Sequence, residues 1–126
     1  MKDKVENIGG NLVVNIGGAE SVTVGTNRTV TVGSGETVRV GGDQSTTIGS
    51  NRSELVALSD ALTVGKSLRI EVGDEVAIVV GQSSIVMRKD GTILINGRDI
   101  IIEASDKVTV NASGDITLKG SRVLQG

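Results

Sequence analysis

The 126-residue chain contains no phenylalanine, tyrosine, tryptophan, histidine, cysteine or proline. The lack of histidine and cysteine excludes imidazole or thiolate metal sites, disulfides and the Ser-His-Asp or Cys-His pairs of nucleophilic enzymes. Without aromatic rings the chain has no stacking platform for single-stranded nucleic acid, and a net charge of -2 gives no overall attraction to phosphate. We therefore expect neither an enzyme nor a nucleic-acid-binding protein, and we expect no cofactor or metal ion.

Long apolar runs are also missing. No stretch approaches the roughly 18 apolar residues of a membrane span, and residues 1–6 lack the apolar segment of a secretory signal. We therefore expect a soluble chain that is made in the cytoplasm. The hydrophobic residues, 37% of the chain, are nearly all small aliphatics, and 18 residues are glycine, so a compact globule would have little bulk for its core.

What the sequence does contain is an eight-residue repeat. Its predicted corners are the glycines at every eighth position, with Ala57 as the exception: Gly9, Gly17, Gly25, Gly33, Gly41, Gly49, Gly65, Gly73 and Gly81. Isoleucine or valine precedes nearly every corner, and a second apolar column lies two residues earlier. The predicted core residues in these columns are Ile8, Val14, Ile16, Val22, Val24, Val30, Val32, Val38, Val40, Ile48, Leu62, Val64, Ile70, Val72, Ile78 and Val80.

Each octad is predicted to form one short strand followed by a corner. The residues between the two apolar columns are mostly polar, as at Thr23, Thr31 and Arg39, which is the alternation of a strand with one buried face. Two inward side chains per strand cannot enclose a core, so the octads must stack around an axis. Either one chain coils alone with three octads per turn, or three copies wind together. The periodicity leaves both arrangements open.

The repeat changes from about Ser83, where the small residue begins to fall two places after the apolar pair. The segment Lys89-Asp90-Gly91 predicts a tight turn and a local break in the coil between residues 87 and 92. We therefore divide the chain into residues 1–82, a regular Val-Gly octad β-helix, and residues 83–126, a continuation of the β-helix with an altered repeat and a C-terminal tip.

Two acidic residues, Glu6 and Glu54, interrupt the apolar columns. An inward Glu54 would meet its copies near the axis of an assembly and could bind a cation or share protons there. A register slip in residues 54–58 would instead turn Glu54 outward and place Leu55 or Leu58 inside. We favour the slip or an outward Glu54.

Three parts of the sequence are characteristic: the octads from Ile8 to Gly81, the segment Asp90-Gly91-Thr92-Ile93 and the ending Lys119-Gly120-Ser121-Arg122-Val123-Leu124-Gln125. Together they resemble the C-terminal needle of the valine-glycine repeat (VgrG) spike proteins of type VI secretion systems. These spikes are similar to those of contractile phage tails. The resemblance implies an all-β fold, a homotrimeric, triple-stranded, intertwined parallel β-helix or β-prism. It also implies a structural needle that pierces a target membrane without catalysis and is ejected to the extracellular space or target cell. About fourteen octads at roughly 4.7 to 4.9 Å each would give a rod longer than a bilayer of about 40 to 45 Å.

The resemblance also implies partners. A proline-alanine-alanine-arginine (PAAR) repeat tip protein would sit on the C-terminal end, and the candidate contacts are Ile116, Leu118, Val123 and Leu124, which could alternatively just close the last strands. The secretion tube and the effectors would be reached through parts of a full-length spike that lie outside this chain, which resembles an excised needle. Contact with the target membrane would be transient.

Two other functions fit the repeat. A trimeric tail-fibre or adhesin stalk would share the octads, although the ending argues against it. A single-chain ice-binding solenoid would need flat threonine arrays, and the threonine columns are interrupted at Arg39, Leu55 and Glu71.

Overall fold

A computed structural model describes residues 3–126, and this part of the chain contains strands, turns and bends but no helix. The predicted all-β class is therefore confirmed. Since none of the described residues is helical, that range also offers no helix with which to cross a bilayer. Internal contacts divide the chain into two units, Met1–Leu55 and Val56–Gly126.

The first unit follows the octad pattern. Its described residues run as extended segments that bend at each corner, from Gly9-Gly10 to Gly49-Ser50. No backbone hydrogen bond joins one residue to another within the range 3–73 of a single chain. A single-chain coil would require a ladder of such bonds between segments 24 residues apart, and the described octads do not form one.

The second unit begins with the corner at Ala57 and two further octads and continues into a three-stranded sheet. The strands are β1, Glu75–Val80, β2, Ser83–Arg88, and β3, Ile93–Asn96. They pair in the order β1-β2-β3, with Ile78 opposite Ile85 and Ile85 opposite Ile95. Both pairings are antiparallel, so the expected parallel arrangement does not hold for this sheet. Each strand is joined to the next by a short turn, and only antiparallel strands can be connected in that way.

The turn between β1 and β2 consists of Gly81 and Gln82. Gly81 has a φ of 54°, a left-handed conformation that glycine adopts without a steric penalty. A glycine at the first of two central positions is typical of the type II′ hairpin turn. The last Val-Gly octad, with Ile78 and Val80, therefore forms one strand of a hairpin, whereas the sequence pattern placed it in the coil.

The turn between β2 and β3 is the predicted break in the coil, which is confirmed. Arg88 N–H donates to the Thr92 carbonyl at 3.0 Å, and Gly91 N–H donates to the Arg88 carbonyl at 3.0 Å. Gly91 has a φ of 89°. Two ion pairs join the start of β1 to the end of β2: Arg88 with Glu75 at 3.0 Å and Lys89 with Asp74 at 2.8 Å. Because these side chains are about half or more exposed, each pair contributes only about 0 to 1 kcal/mol.

After β3 the chain returns to extended segments with bends. The bends at Ser105, Ser113 and Ser121 are eight residues apart and continue the numbering of the earlier corners. The octad therefore persists beyond the hairpin with serine in place of glycine. Residues 97–126 form no hydrogen-bonded strand within one chain.

Candidate trimer interface

The two apolar columns of the octads differ consistently in exposure. The side chains directly before the corners, from Ile8 to Val72, are 44–50% exposed. Those two residues earlier, from Val14 to Ile70, are 60–73% exposed. Each column repeats its own environment every eight residues, as a regular coil requires. No residue in the described range 3–126 is fully buried, so a single chain forms no core.

The total surface measures how incomplete a single chain is. Its accessible area is 14001 Å². A compact monomer of 12.9 kDa would expose about 6,300 Å². An excess of this size, in a chain whose large hydrophobic side chains are nearly all exposed, means that the chain needs partners to bury its apolar columns.

The backbone points to the same conclusion. Extended segments with unpaired N–H and C=O groups are templates for pairing with another strand. Between residues 3 and 73 these groups have no partner within the chain, while the adjacent side chains form regular apolar columns. Burying those columns also removes the backbone groups from water, so they must then bond to strands of other chains.

One face of the hairpin sheet continues the apolar columns. We call it the hairpin face: Val76, Ile78, Val80, Ile85, Met87, Ile93 and Ile95, which lie on the same side of the sheet by their register. One shallow groove on this side is lined by Ile70, Val72 and Met87, and another by Ile85, Ile95 and Ile100. The hairpin face is thus continuous with the octads before it and with the segment after it.

Glu54 does not show the expected register slip. Val56 is 47% exposed, as are its counterparts before the other corners, so the column continues through residues 54–58 without a shift. Leu55 and Leu58, the expected replacements, are 95% and 99% exposed. Glu54 therefore lies on the same side of the strand as Val56, where it pairs with Arg52 at 2.5 Å. An ion pair with a residue on the same side allows the acidic side chain to keep its place in the repeat.

The C-terminal columns have the same regularity. Ile100, Val108 and Ile116 are 53–54% exposed, and Ile102, Val110 and Leu118 are 72–76% exposed. The tip candidates Ile116, Leu118, Val123 and Leu124 are all exposed in the single chain, and their contact with a tip protein stays a prediction. The sequence analysis placed the small residue two places after the apolar pair, whereas the bends fall three places after it. The serines at 105, 113 and 121 were the available signal.

The polar groups of the described residues form local pairs. Asp90 accepts a hydrogen bond from Thr92 N–H at 2.9 Å, and the backbone and side chain of Thr92 together lower the pKa of this carboxyl. Among residues 3–126, no three carboxylates converge as they would around a metal ion. The chemistry open to the described residues is therefore assembly: copies of the chain can align their strands and bury the apolar columns between them.

Repeated strands, regular corners and an exposed apolar side define a repetitive β-structured module for assembly with other chains. The family model of the bacteriophage T4 gp5 C-terminal trimerisation domain matches residues 1–87. This chain belongs to that family. The match includes every Val-Gly octad and most of the β1–β2 hairpin. A comparison with curated proteins finds no significant match to the chain.

Family membership confirms the resemblance to phage-like spike needles and supports a structural, spike-like homotrimer. The predicted boundary at residues 82 and 83 stays a prediction. The β1–β2 hairpin, residues 75 to 88, spans that position.

Proposed function

We propose that this chain is the needle of a type VI secretion spike, in which three copies wind into an intertwined β-helix that pierces a target membrane. The needle would be assembled in the bacterial cytoplasm and ejected by contraction of the secretion apparatus. Its work would be mechanical, with effectors carried by other parts of the spike. The observation that carries the proposal is the family match over octads whose apolar columns and backbone groups are unpartnered in one chain.

The two sides of the octad strand support this role. One side has the apolar columns that three chains would bury around an axis. The other side has Thr23, Thr31, Thr47 and Thr63, which are exposed in the single chain. An outer surface of threonine, serine and mixed charges would pass through headgroups without adhering to lipid or to other needles. Backbone hydrogen bonds running along the needle would carry the axial load.

The first experiment compares two matched sets of substitutions. Val24→Asp, Val32→Asp and Ile48→Asp place three charges per chain in the apolar column before the corners. Thr23→Asp, Thr31→Asp and Thr47→Asp add the same charges one residue earlier, on the opposite side of each strand. We call the first set the valine variant and the second set the threonine variant. Sedimentation equilibrium should give three times the chain mass for the wild type and the threonine variant. The valine variant should have the mass of a monomer, because buried unpaired charges are strongly unfavourable.

Secretion is measured with the same variants in a bacterium that carries the chain. An antibody to the chain should detect the wild type and the threonine variant in the culture medium only when the contraction apparatus works. The valine variant should stay inside the cell. A trimer that is never released by contraction would contradict the secretion proposal and favour the fibre stalk, whereas a wild-type monomer would contradict the trimer itself.

We also propose that the C-terminal end carries a PAAR-repeat tip protein. Val123 and Leu124 are exposed in the single chain, and the last layer of an open coil leaves strand edges unpaired. A PAAR-repeat protein bound at this end would cover both side chains. Val123→Asp together with Leu124→Asp should abolish co-elution of the trimer with a purified PAAR-repeat protein from the same bacterium. Ser121→Asp, a charge of the same sign at a polar neighbour, should leave co-elution intact. Equal binding by both variants would show that these side chains only close the last strands.

A further inference from the structure

A column of alternating charge runs along the octads on the side of the apolar residues. We call it the charge column: the residues three places after successive corners, which are Glu20, Arg28, Glu36, Gln44, Arg52 and Asp60. Each lies four residues before the apolar column that directly precedes the corners and two residues before the other apolar column. Strand side chains alternate between faces, so the charge column lies on the same side as both apolar columns.

The C-terminal segment and the ion pairs support this placement. There the equivalent positions are held by Ile100, Val108 and Ile116, which form one of the two regular apolar columns. Within the octads, Arg52 pairs with Glu54, and Lys4 pairs with Glu6 at 3.2 Å, each across two residues on one side of the strand. Among the described residues of one chain, Glu20, Arg28 and Glu36 make no ion pair.

The stacking of the octads decides which charges become neighbours. In an intertwined trimer, strands stack on one another along each side of the β-helix. Neighbouring strands on one side come from different chains and differ by one octad, or eight residues. Arg28 then lies between Glu20 of one neighbouring chain and Glu36 of the other, and every contact along the column is between opposite charges or includes neutral Gln44. Opposite charges on neighbouring strands are stabilising.

Other alignments bring like charges together. With three chains in register, every residue of the column would meet its own copy. An offset of sixteen residues would place Glu20 beside Glu36. A single-chain coil has an offset of 24 residues, which would place Arg28 beside Arg52 and Glu36 beside Asp60. Of these four offsets, the eight-residue offset is the one that leaves the column free of repulsion.

We infer that the charge column sets the register between the three chains, with Glu20, Arg28 and Glu36 forming an ionic ladder from chain to chain. This inference rests on the proposed trimer. Along the charge column, the apolar columns are similar from octad to octad, apart from Thr46 and Glu54, so they distinguish poorly between offsets that are multiples of eight residues. The charges repeat differently, and they therefore distinguish one such offset from the next.

The test reverses the central charge. Arg28→Glu creates a run of three acidic residues across three chains, and we expect the melting temperature of the trimer to fall by roughly 5 to 10 °C at low salt. The loss should shrink in 1 M NaCl, because salt screens the repulsion between like charges. Adding Glu20→Arg and Glu36→Arg restores the alternation and should restore the melting temperature. Arg39→Glu is the matched control, since its neighbours eight residues away are Thr31 and Thr47.

The outcomes separate this inference from the proposed trimer. A wild-type monomer overturns both. A stable trimer in which Arg28→Glu has no more effect than Arg39→Glu overturns the ladder alone, as does a triple variant no more stable than Arg28→Glu. In a single-chain coil Arg28→Glu would replace repulsion by Arg52 with attraction, so the melting temperature would rise.

A second measurement reads the register directly, because the chain has no cysteine of its own. Thr23→Cys and Thr31→Cys in one chain should be joined between chains by a short thiol cross-linker, since adjacent strands are about 4.8 Å apart. Thr23→Cys and Thr47→Cys would lie three strands apart in the trimer, and we expect no bridge between them. A bridge within one chain in the second variant would overturn the eight-residue register.

Discussion

Asp90 is the side chain whose acid-base behaviour depends most clearly on the local fold. The backbone and then the side chain of Thr92 donate hydrogen bonds to its carboxylate and lower its pKa below the ordinary value of 3.8. Because the folded chain holds a proton less tightly than the unfolded chain, the ionised carboxylate stabilises the turn above about pH 4. That stabilisation is lost as the pH falls through the lowered pKa.

This turn yields a prediction for an NMR titration. The amide signal of Thr92 should shift with a midpoint below pH 3.8 in the wild type. Asp90→Asn should remove the transition, because the amide does not titrate. Thr92→Val should raise the midpoint toward the ordinary value, since the hydroxyl is lost and the backbone N–H remains. A wild-type midpoint at or above 3.8 would contradict the hydrogen-bonded turn.

At the scale of elements, the hairpin sheet has apolar side chains on both faces, but only the hairpin face is continuous with the octad columns. Ile78 lies on that face and Val79 on the other, at 58% and 66% exposure in one chain. In a single chain the two positions are nearly equivalent. Packing of three chains would bury the first and leave the second in contact with water.

Ile78→Asp and Val79→Asp therefore form a matched pair. We expect Ile78→Asp to lower the melting temperature of the trimer by roughly 10 °C or more, because three unpaired carboxylates would be buried close together. Val79→Asp should cause a much smaller change. Circular dichroism during heating, combined with the solution mass before heating, measures both effects. A larger loss from Val79→Asp would show that the opposite face is the one that packs.

The hairpin also shows where sequence reasoning reached its limit. Val80-Gly81 has the same pattern as every earlier Val-Gly pair, and a glycine free to adopt positive φ serves a coil corner and a hairpin turn equally well. The difference lies downstream, where the apolar run Ile85-Val86-Met87 pairs with β1 and Lys89 replaces the next corner glycine. The turn at residues 89–91 was predictable, because Asp90-Gly91 has its own local turn chemistry.

For the whole molecule, the repeat was the most informative feature of the sequence. Alternation and regular corners predicted the bends from Gly9 to Gly49 and the two apolar columns of the octads. The sequence analysis weighed Glu54 as a lone carboxylate, whose burial is unfavourable, and did not consider its ion pair with Arg52. The number of chains could not be derived from periodicity, since a turn of 24 residues suits one chain or three.

The unpaired backbone of residues 3–73 also determines how such an assembly forms and persists. A strand that can hydrogen-bond only to other chains has no folded state of its own, so folding and association are one event whose rate rises with chain concentration. In the proposed intertwined trimer, no chain could leave without unwinding the other two. Two trimer populations, mixed after assembly, should therefore exchange no subunits on the timescale of hours, and the composition of each trimer is fixed when it forms.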